Sequence, residues 1–237
     1  MSDPSADSCI RSQSTASPLE GDLAIAHTLF NEYPGTHCGV FFHTREKETR
    51  LLHLALHLCL LEESTTSKSY AIVSSDLVRT QRRQLSKLCR LIIEKHGNNV
   101  PYGFRFGVVI NSDGSFPALK PGDGFTCTTF VLAIYANVNF YPVDIATWPM
   151  GANAEWQDRI MDAIRSVAQK RGWDVEDHLA ALKGQGNAIR VTPQEIAAAL
   201  CLGQNRYDEL AAFAAEIAEY LRNNFPVLGS ETGGAAA

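Results

Sequence analysis

One cysteine stands where a glycine-punctuated loop turns into an apolar run, Gly122-Asp123-Gly124-Phe125-Thr126-Cys127-Thr128-Thr129-Phe130-Val131. Phe130, Val131, Ile134 and Tyr135 recur at helical spacing, which predicts Cys127 in the first turn of a buried helix. A thiol there feels the positive end of the helix dipole and several unpaired backbone N–H groups. Both favour the thiolate, which is the nucleophilic form. The same N–H groups can hold an oxyanion forming on an attacked carbonyl. Cysteine chemistry further needs a base for the thiol proton and a third group that fixes the base's tautomer. His37, at the start of a strand-like run, and His53, in the next run, can fill those places. Same-face residues on neighbouring antiparallel strands lie close enough for one imidazole to orient the other. His43 and His57 lie near in sequence and compete for the third place.

Each residue also has a plainer explanation. A lone cysteine in an apolar run is commonly a small buried hydrophobe, and a strand histidine is commonly a surface or satisfied core residue. The chain has no HExxH and no acidic partner at matching spacing, so neither a metal site nor a cofactor is predicted. Gly122-Asp123-Gly124 lacks the Lys-Ser/Thr of a phosphate loop and the regular acidic ligands of an EF-hand. Its glycines fit a tight entry into the Cys127 helix.

The elements that must position these residues fall into two compositional parts. Residues 1–19 are rich in Ser, Asp, Pro and Thr, which predicts a disordered tail; an export signal of a bacterial effector has the same composition. Gly21-Asp22-Leu23-Ala24-Ile25-Ala26 opens the ordered core, over 20–150. Thr36–His43 and Leu51–Leu58, joined by a short charged turn, predict an antiparallel hairpin. A strand is expected within Ser67–Val73, and another over Phe104–Ile110. Leu77–Lys95 has a helical pattern, with Leu85, Leu88, Leu91 and Ile92 on one face. Its opposite face, with Arg79, Arg82, Arg83, Lys87, Arg90 and Lys95, reads as solvated rather than as a phosphate site.

Helical patterns fill a second region, 151–228, at about 153–171, 174–183, 193–201 and 205–224. Thr192-Pro193-Gln194-Glu195 combines an N-cap threonine, a first-turn proline and a capping-box glutamate. Leu210, Phe213, Ile217 and Leu221 share the core-facing side of the last helix. The Gly-Ala stretch over 229–237 reads as a second disordered tail. The fold class expected is α+β, a small antiparallel sheet packed on the cysteine helix with a helical C-terminal region.

Composition excludes some classes of function. With 45% hydrophobic and 20% charged residues, the 237-residue chain has the make-up of a globular protein with a sizeable core. A net charge of −5 offers no general attraction to nucleic acid. No apolar run is long enough to cross a bilayer, and no basic segment with an apolar h-region opens the chain. The six cysteines are scattered, with no CxxC pair, as expected of free thiols in a reducing compartment. The location expected is cytoplasmic, or exported without a standard signal peptide.

Taken in order, Gly21-Asp22-Leu23, His37-Cys38-Gly39-Val40-Phe41-Phe42, Leu51-Leu52-His53-Leu54 and Phe125-Thr126-Cys127-Thr128-Thr129-Phe130-Val131 resemble a circularly permuted NlpC/P60 papain-like domain. That group includes the YiiX-like and lecithin:retinol acyltransferase-like proteins, and the likeness covers roughly residues 20 to 140. The order His before Cys is the permuted one. The resemblance implies Cys127 as nucleophile, His37 as general base and His53 as orienter. It also implies an amide or ester substrate: a peptide, a protein or an acyl-lipid. The Asn-Cys-Glu-His-Phe box of the acyltransferase-like branch is absent, which favours a cysteine peptidase or amidase over a thiol acyltransferase or lipid hydrolase. A catalytically inactive papain-like domain that binds a protein partner is the third possibility.

Overall fold

Alternation of apolar side chains along the N-terminal third and helical periodicity beyond it divide the chain into a sheet and the helices that cover it. A computed structural model describes residues 5–12, 17–30, 33–65, 70–151, 154–186 and 188–225. Helix α1 (Ala6–Cys9) leads into strands β1 (Ile10–Ser12), β2 (Leu23–Phe30), β3 (Tyr33–His43), β4 (Thr49–Leu56), β5 (Cys59–Ser64) and β6 (Ala71–Val73). Helices α2 (Arg79–His96), α3 (Cys127–Ala136), α4 (Ala154–Arg171), α5 (Glu176–Lys183), α6 (Pro193–Leu202) and α7 (Tyr207–Asn224) follow. The result is a mixed α/β architecture with one open antiparallel sheet, in the order β1-β6-β2-β3-β4-β5.

Register sorts the strands' side chains by face, because successive residues point to opposite sides. Leu23, Ile25, Cys38, Val40, Leu52, Leu54 and Val73 join the main core with the apolar sides of the helices. Ala24, Ala26, Phe41, Leu51, Tyr70 and Ile72, on the alternate positions, form a second, smaller cluster. Helix α3 packs on β3 and β4 through Phe130, Val131, Ile134 and Tyr135. Helix α6 starts at the proline predicted to start it, and α7 buries the four residues assigned to its core face.

Several sequence expectations are corrected. Phe104–Ile110 is not a strand, although its apolar residues alternate. A strand needs a ladder partner, and only Tyr102 finds one, in an isolated parallel bridge to Phe125. The run Leu51–Leu58 ends as a strand at Leu56; Leu58 adopts a left-handed φ of 50° and the chain returns as β5. Of Ser67–Val73 only Ala71–Val73 is strand, residues 67–69 lying outside the described residues. Within the stretch 1–19, Ile10 is buried and pairs with Val73, while the N–H of Ala6 donates to Glu216 of α7. Two anchors thus order a segment whose composition alone suggested none. The tail expected over 229–237 lies outside the described residues.

The basic face of α2 is only partly solvated. Arg79, Arg83 and Lys87 are exposed, but Arg82 turns inward to Asp22 at 3.0 Å. Asp22 is fully buried and also accepts from Arg11 at 3.1 Å and from the N–H groups of Leu19 and Ser75. One carboxylate therefore ties β1, the entry to β2, the exit from β6 and α2 together. Tyr135 of α3 donates to the carbonyl of adjacent Gly21, at 2.9 Å. Replacing Asp22 by Asn leaves two guanidinium groups without their counter-charge. The expected loss is about 3 kcal/mol, seen as a lower urea midpoint with an unchanged slope. An unchanged midpoint would show that this ion pair does not hold the sheet to α2.

Candidate active site

The site begins with a missing side chain. A Cβ on Gly39 would lie 2.7 Å from the Cβ of His53 and 2.7 Å from the carbonyl oxygen of Leu52. The space left by glycine is the space His53 uses. His37, two residues earlier on the same face of β3, meets it diagonally, with Nε2 of His37 2.7 Å from Nδ1 of His53. The rings are edge-on, their centroids 4.8 Å apart. Behind them, Nε2 of His53 faces Oε1 of Glu63 at 3.5 Å, and Oε2 of Glu63 accepts from the Tyr70 hydroxyl at 2.8 Å. A proton on Nε2 of His53 faces the carboxylate and leaves Nδ1 as an acceptor for His37.

Strands β3 and β4 pair from His43↔Thr49 to Val40↔Leu52 and then part. The β3 backbone at Cys38 is left facing the start of α3 instead of a strand. Cys127 is the first residue of that helix. Its N-cap, Thr126, accepts from the N–H of Thr129 at 3.1 Å, and Thr129 returns a bond to the N–H of Thr126 at 2.7 Å. The Cys127 sulfur, partly exposed, takes hydrogen bonds from the Cys38 thiol, from His37 and from the Cys38 N–H. These contacts, the Cys38 thiol first, hold the Cys127 thiol well below its ordinary range against the opposing effect of burial. Burial and the same contact push the Cys38 thiol up, so Cys38 keeps its proton and donates it.

The loop before α3 presses against residues 101–103. The N–H of Phe125 donates to the carbonyl of Pro101 and the N–H of Gly103 to that of Phe125, each at 3.1 Å. Gly124, at a φ of 152°, admits this approach, since a Cβ there would collide with the Pro101 carbonyl. The approach brings the Tyr102 hydroxyl to the N–H of Cys127. Burial raises the Tyr102 pKa well above the usual phenol value, so the group remains an O–H donor beside Cys127. The N–H of Cys127 is thus directed at the phenol oxygen, and the phenol's own O–H is the donor left beside the sulfur.

The three residues singled out by sequence, Cys127, His37 and His53, thus lie in one contact chain. The competing histidines lie elsewhere: His43 pairs with Glu20 at 3.3 Å, and Nδ1 of His57 accepts the N–H of Tyr102 at 3.2 Å. Glu63, Tyr102 and Arg190 also reach this region. Sequence reasoning missed them, because none lies in a motif or at a spacing that points to Cys127. His178 holds the Cys127 loop from the other side, accepting the N–H of Gly122 at 3.0 Å and contacting the Tyr102 carbonyl at 2.8 Å. An apolar cavity of about 490 Å³, lined by Phe106, Val108, Ile110, Leu132, Phe140 and Val143 among others, lies along α3; Cys127 is not in its wall. Among the described residues no cluster of three His, Cys, Asp or Glu side chains is arranged to hold a metal ion. No described helix is long and apolar enough to cross a membrane.

No known family, curated protein or solved structure matches the chain.

Two outcomes test this geometry. Gly39→Ala should cost about 1–3 kcal/mol through overpacking and displace His53. Alkylation of Cys127 should then slow towards that of an ordinary thiol; unchanged stability and labelling would refute the packing account. The second concerns His57 and His178, whose rings lie 4.3 Å apart and each accept a backbone N–H, which requires both to be neutral. Burial, then the charge of His178, pushes His57 down to about 4, and burial also lowers His178. Between pH 6.5 and about 4 the unfolded chain takes up protons that the folded chain refuses. Stability from this pair is therefore complete above pH 6.5 and declines as the pH falls towards 4. Urea midpoints should drop from pH 7 to pH 4.5 in the parent and drop less in a His57→Gln/His178→Gln variant.

Proposed function

We propose that the protein is a cysteine hydrolase, a peptidase or amidase, working through Cys127, His37 and His53 on a permuted papain-like core. The observation that carries this is the chain of contacts from the Cys127 sulfur through His37 and His53 to Glu63. A buried structural cysteine has its pKa raised by desolvation, as Cys89 has. Cys127 is shifted the other way.

The Cys127 proton passes to His37, and the thiolate attacks the carbonyl carbon of an amide. The C–O π pair moves onto oxygen, where the Tyr102 hydroxyl, itself held by the N–H of Cys127, stabilises it. Collapse expels the amine, which takes the proton from His37, and leaves a thioester on Cys127. Water, losing a proton to His37, then attacks that thioester; the acid departs and the thiol is regenerated with the returned proton. His53 accepts from His37 throughout, and Glu63 keeps the proton of His53 on Nε2.

A second reading, acyl transfer or hydrolysis of a lipid, draws on the apolar cavity along α3, which has room for an acyl chain. The third, an inactive binding domain, requires that Cys127 behave as an ordinary thiol.

Limiting iodoacetamide over a pH series, with peptide mapping, separates these readings. Cys127 should label well below pH 8.5, the ordinary thiol pKa, ahead of the other cysteines. His37→Ala should slow that labelling, and should lower amide turnover by roughly 10²–10⁴-fold. Labelling of Cys127 no faster than that of Cys9 or Cys59 would remove the case for a hydrolase.

A further inference from the structure

Arg190 has no part in the chemistry above, yet the fold brings it to the same place. The segment before α6 crosses the start of α3, where the Thr128 hydroxyl donates to the carbonyl of Val191 at 2.9 Å. Arg190, next to Val191, lays its guanidinium over the ring of Trp156, 4.6 Å from its centroid. Trp156 in turn packs on Phe104, and Phe104 on Tyr102. Tyr102, Phe104, Trp156 and Arg190 thereby form one wall beside Cys127.

Glu195 and Cys127 attract this half-buried cation through space. Among the described residues no carboxylate forms an ion pair with it. Glu195 accepts the N–H of Thr192 at 2.6 Å and the indole N–H of Trp148 at 3.3 Å, both on Oε2, and acts on Arg190 only through space. The Cys127 thiolate attracts Arg190 only through space, since its hydrogen bonds come from Cys38 and His37. Stacking on Trp156 occupies the face of the guanidinium and leaves the N–H groups of its edge available. A half-buried guanidinium whose edge makes no ion pair, next to the segment that crosses the start of α3, is placed to meet an anion that arrives.

We infer that Arg190 is a specificity residue that binds a carboxylate on the substrate, next to the acyl group attacked by Cys127. The planar fork of donors matches the two oxygens of a carboxylate, and one cation balances one negative charge. The substrate class is thus an amide or peptide bearing a free carboxylate close to the scissile bond. This rests on Cys127 being the nucleophile, and extends that reading to what the nucleophile selects.

Iodoacetate and iodoacetamide test it, because they deliver the same alkyl group to the same sulfur and differ in a carboxylate. The ratio of their second-order rates at Cys127, read by peptide mapping, cancels any change in the thiolate fraction. Arg190→Gln should lower the iodoacetate to iodoacetamide ratio by about tenfold. Arg190→Lys, which keeps the charge without the fork and guards against a folding artefact, should give an intermediate ratio. Equal ratios in all three proteins would overturn the carboxylate site. Slow iodoacetamide labelling in the parent would instead count against the hydrolase itself, whatever the ratios.

Discussion

Everything at the candidate site depends on β3 and β4 parting after Val40 and Leu52. In a continuous ladder the backbone of Cys38 would be satisfied by a neighbouring strand, with no opening for a helix. Where the ladder stops, buried donors need other acceptors. The α3 N-terminus fills the gap, and its first side chain takes the Cys38 N–H. Cys127 is thus fixed by the same backbone requirement that builds sheets. Gly39, at the point of divergence, removes the bulk that would otherwise separate the two histidines.

Ionisable groups within the protein fall into contrasting settings. Asp22 is buried with both charge partners and backbone donors supplied by the chain, so its contribution is to architecture. His57 and His178 are kept neutral by the N–H groups they accept, and they clamp the loops beside Cys127. Cys127 and Arg190 differ from both. Cys38 and His37 draw Cys127 towards the thiolate, and Arg190 is attracted by Glu195 and Cys127 with no salt bridge among the described residues.

Local signals in the sequence carried a good part of this. Cys127 in a first turn, the Thr192-Pro193 helix start and the buried stripe of α7 are written within ten or so residues, where period and capping chemistry operate. The pairing of His37 with His53 was legible because two adjacent strands fix it. Glu63 was not, since it depends on β5, which a turn at Leu58 lacking glycine or asparagine disguised. Tyr102 reaches the Cys127 N–H through a bridge between two loops, and Arg190 arrives from the helical region; no spacing rule connects either to Cys127. The alternation over Phe104–Ile110 misled for the reverse reason: it has the period of a strand but no edge to pair with.

The bonds that close the site are long in sequence. Thr128 meets Val191 across 63 positions, and Thr36 meets Gln194 across 158. On a growing chain the histidine hairpin is finished early, whereas the wall carrying Arg190 is made last. At about 5–20 residues per second, roughly 3–13 s separate synthesis of the cysteine from synthesis of that wall. During that interval the nascent polypeptide lacks the segment that carries Arg190. Sequence order thus fixes an order of assembly, in which the two histidines and the cysteine are made before the segment that crosses the start of α3.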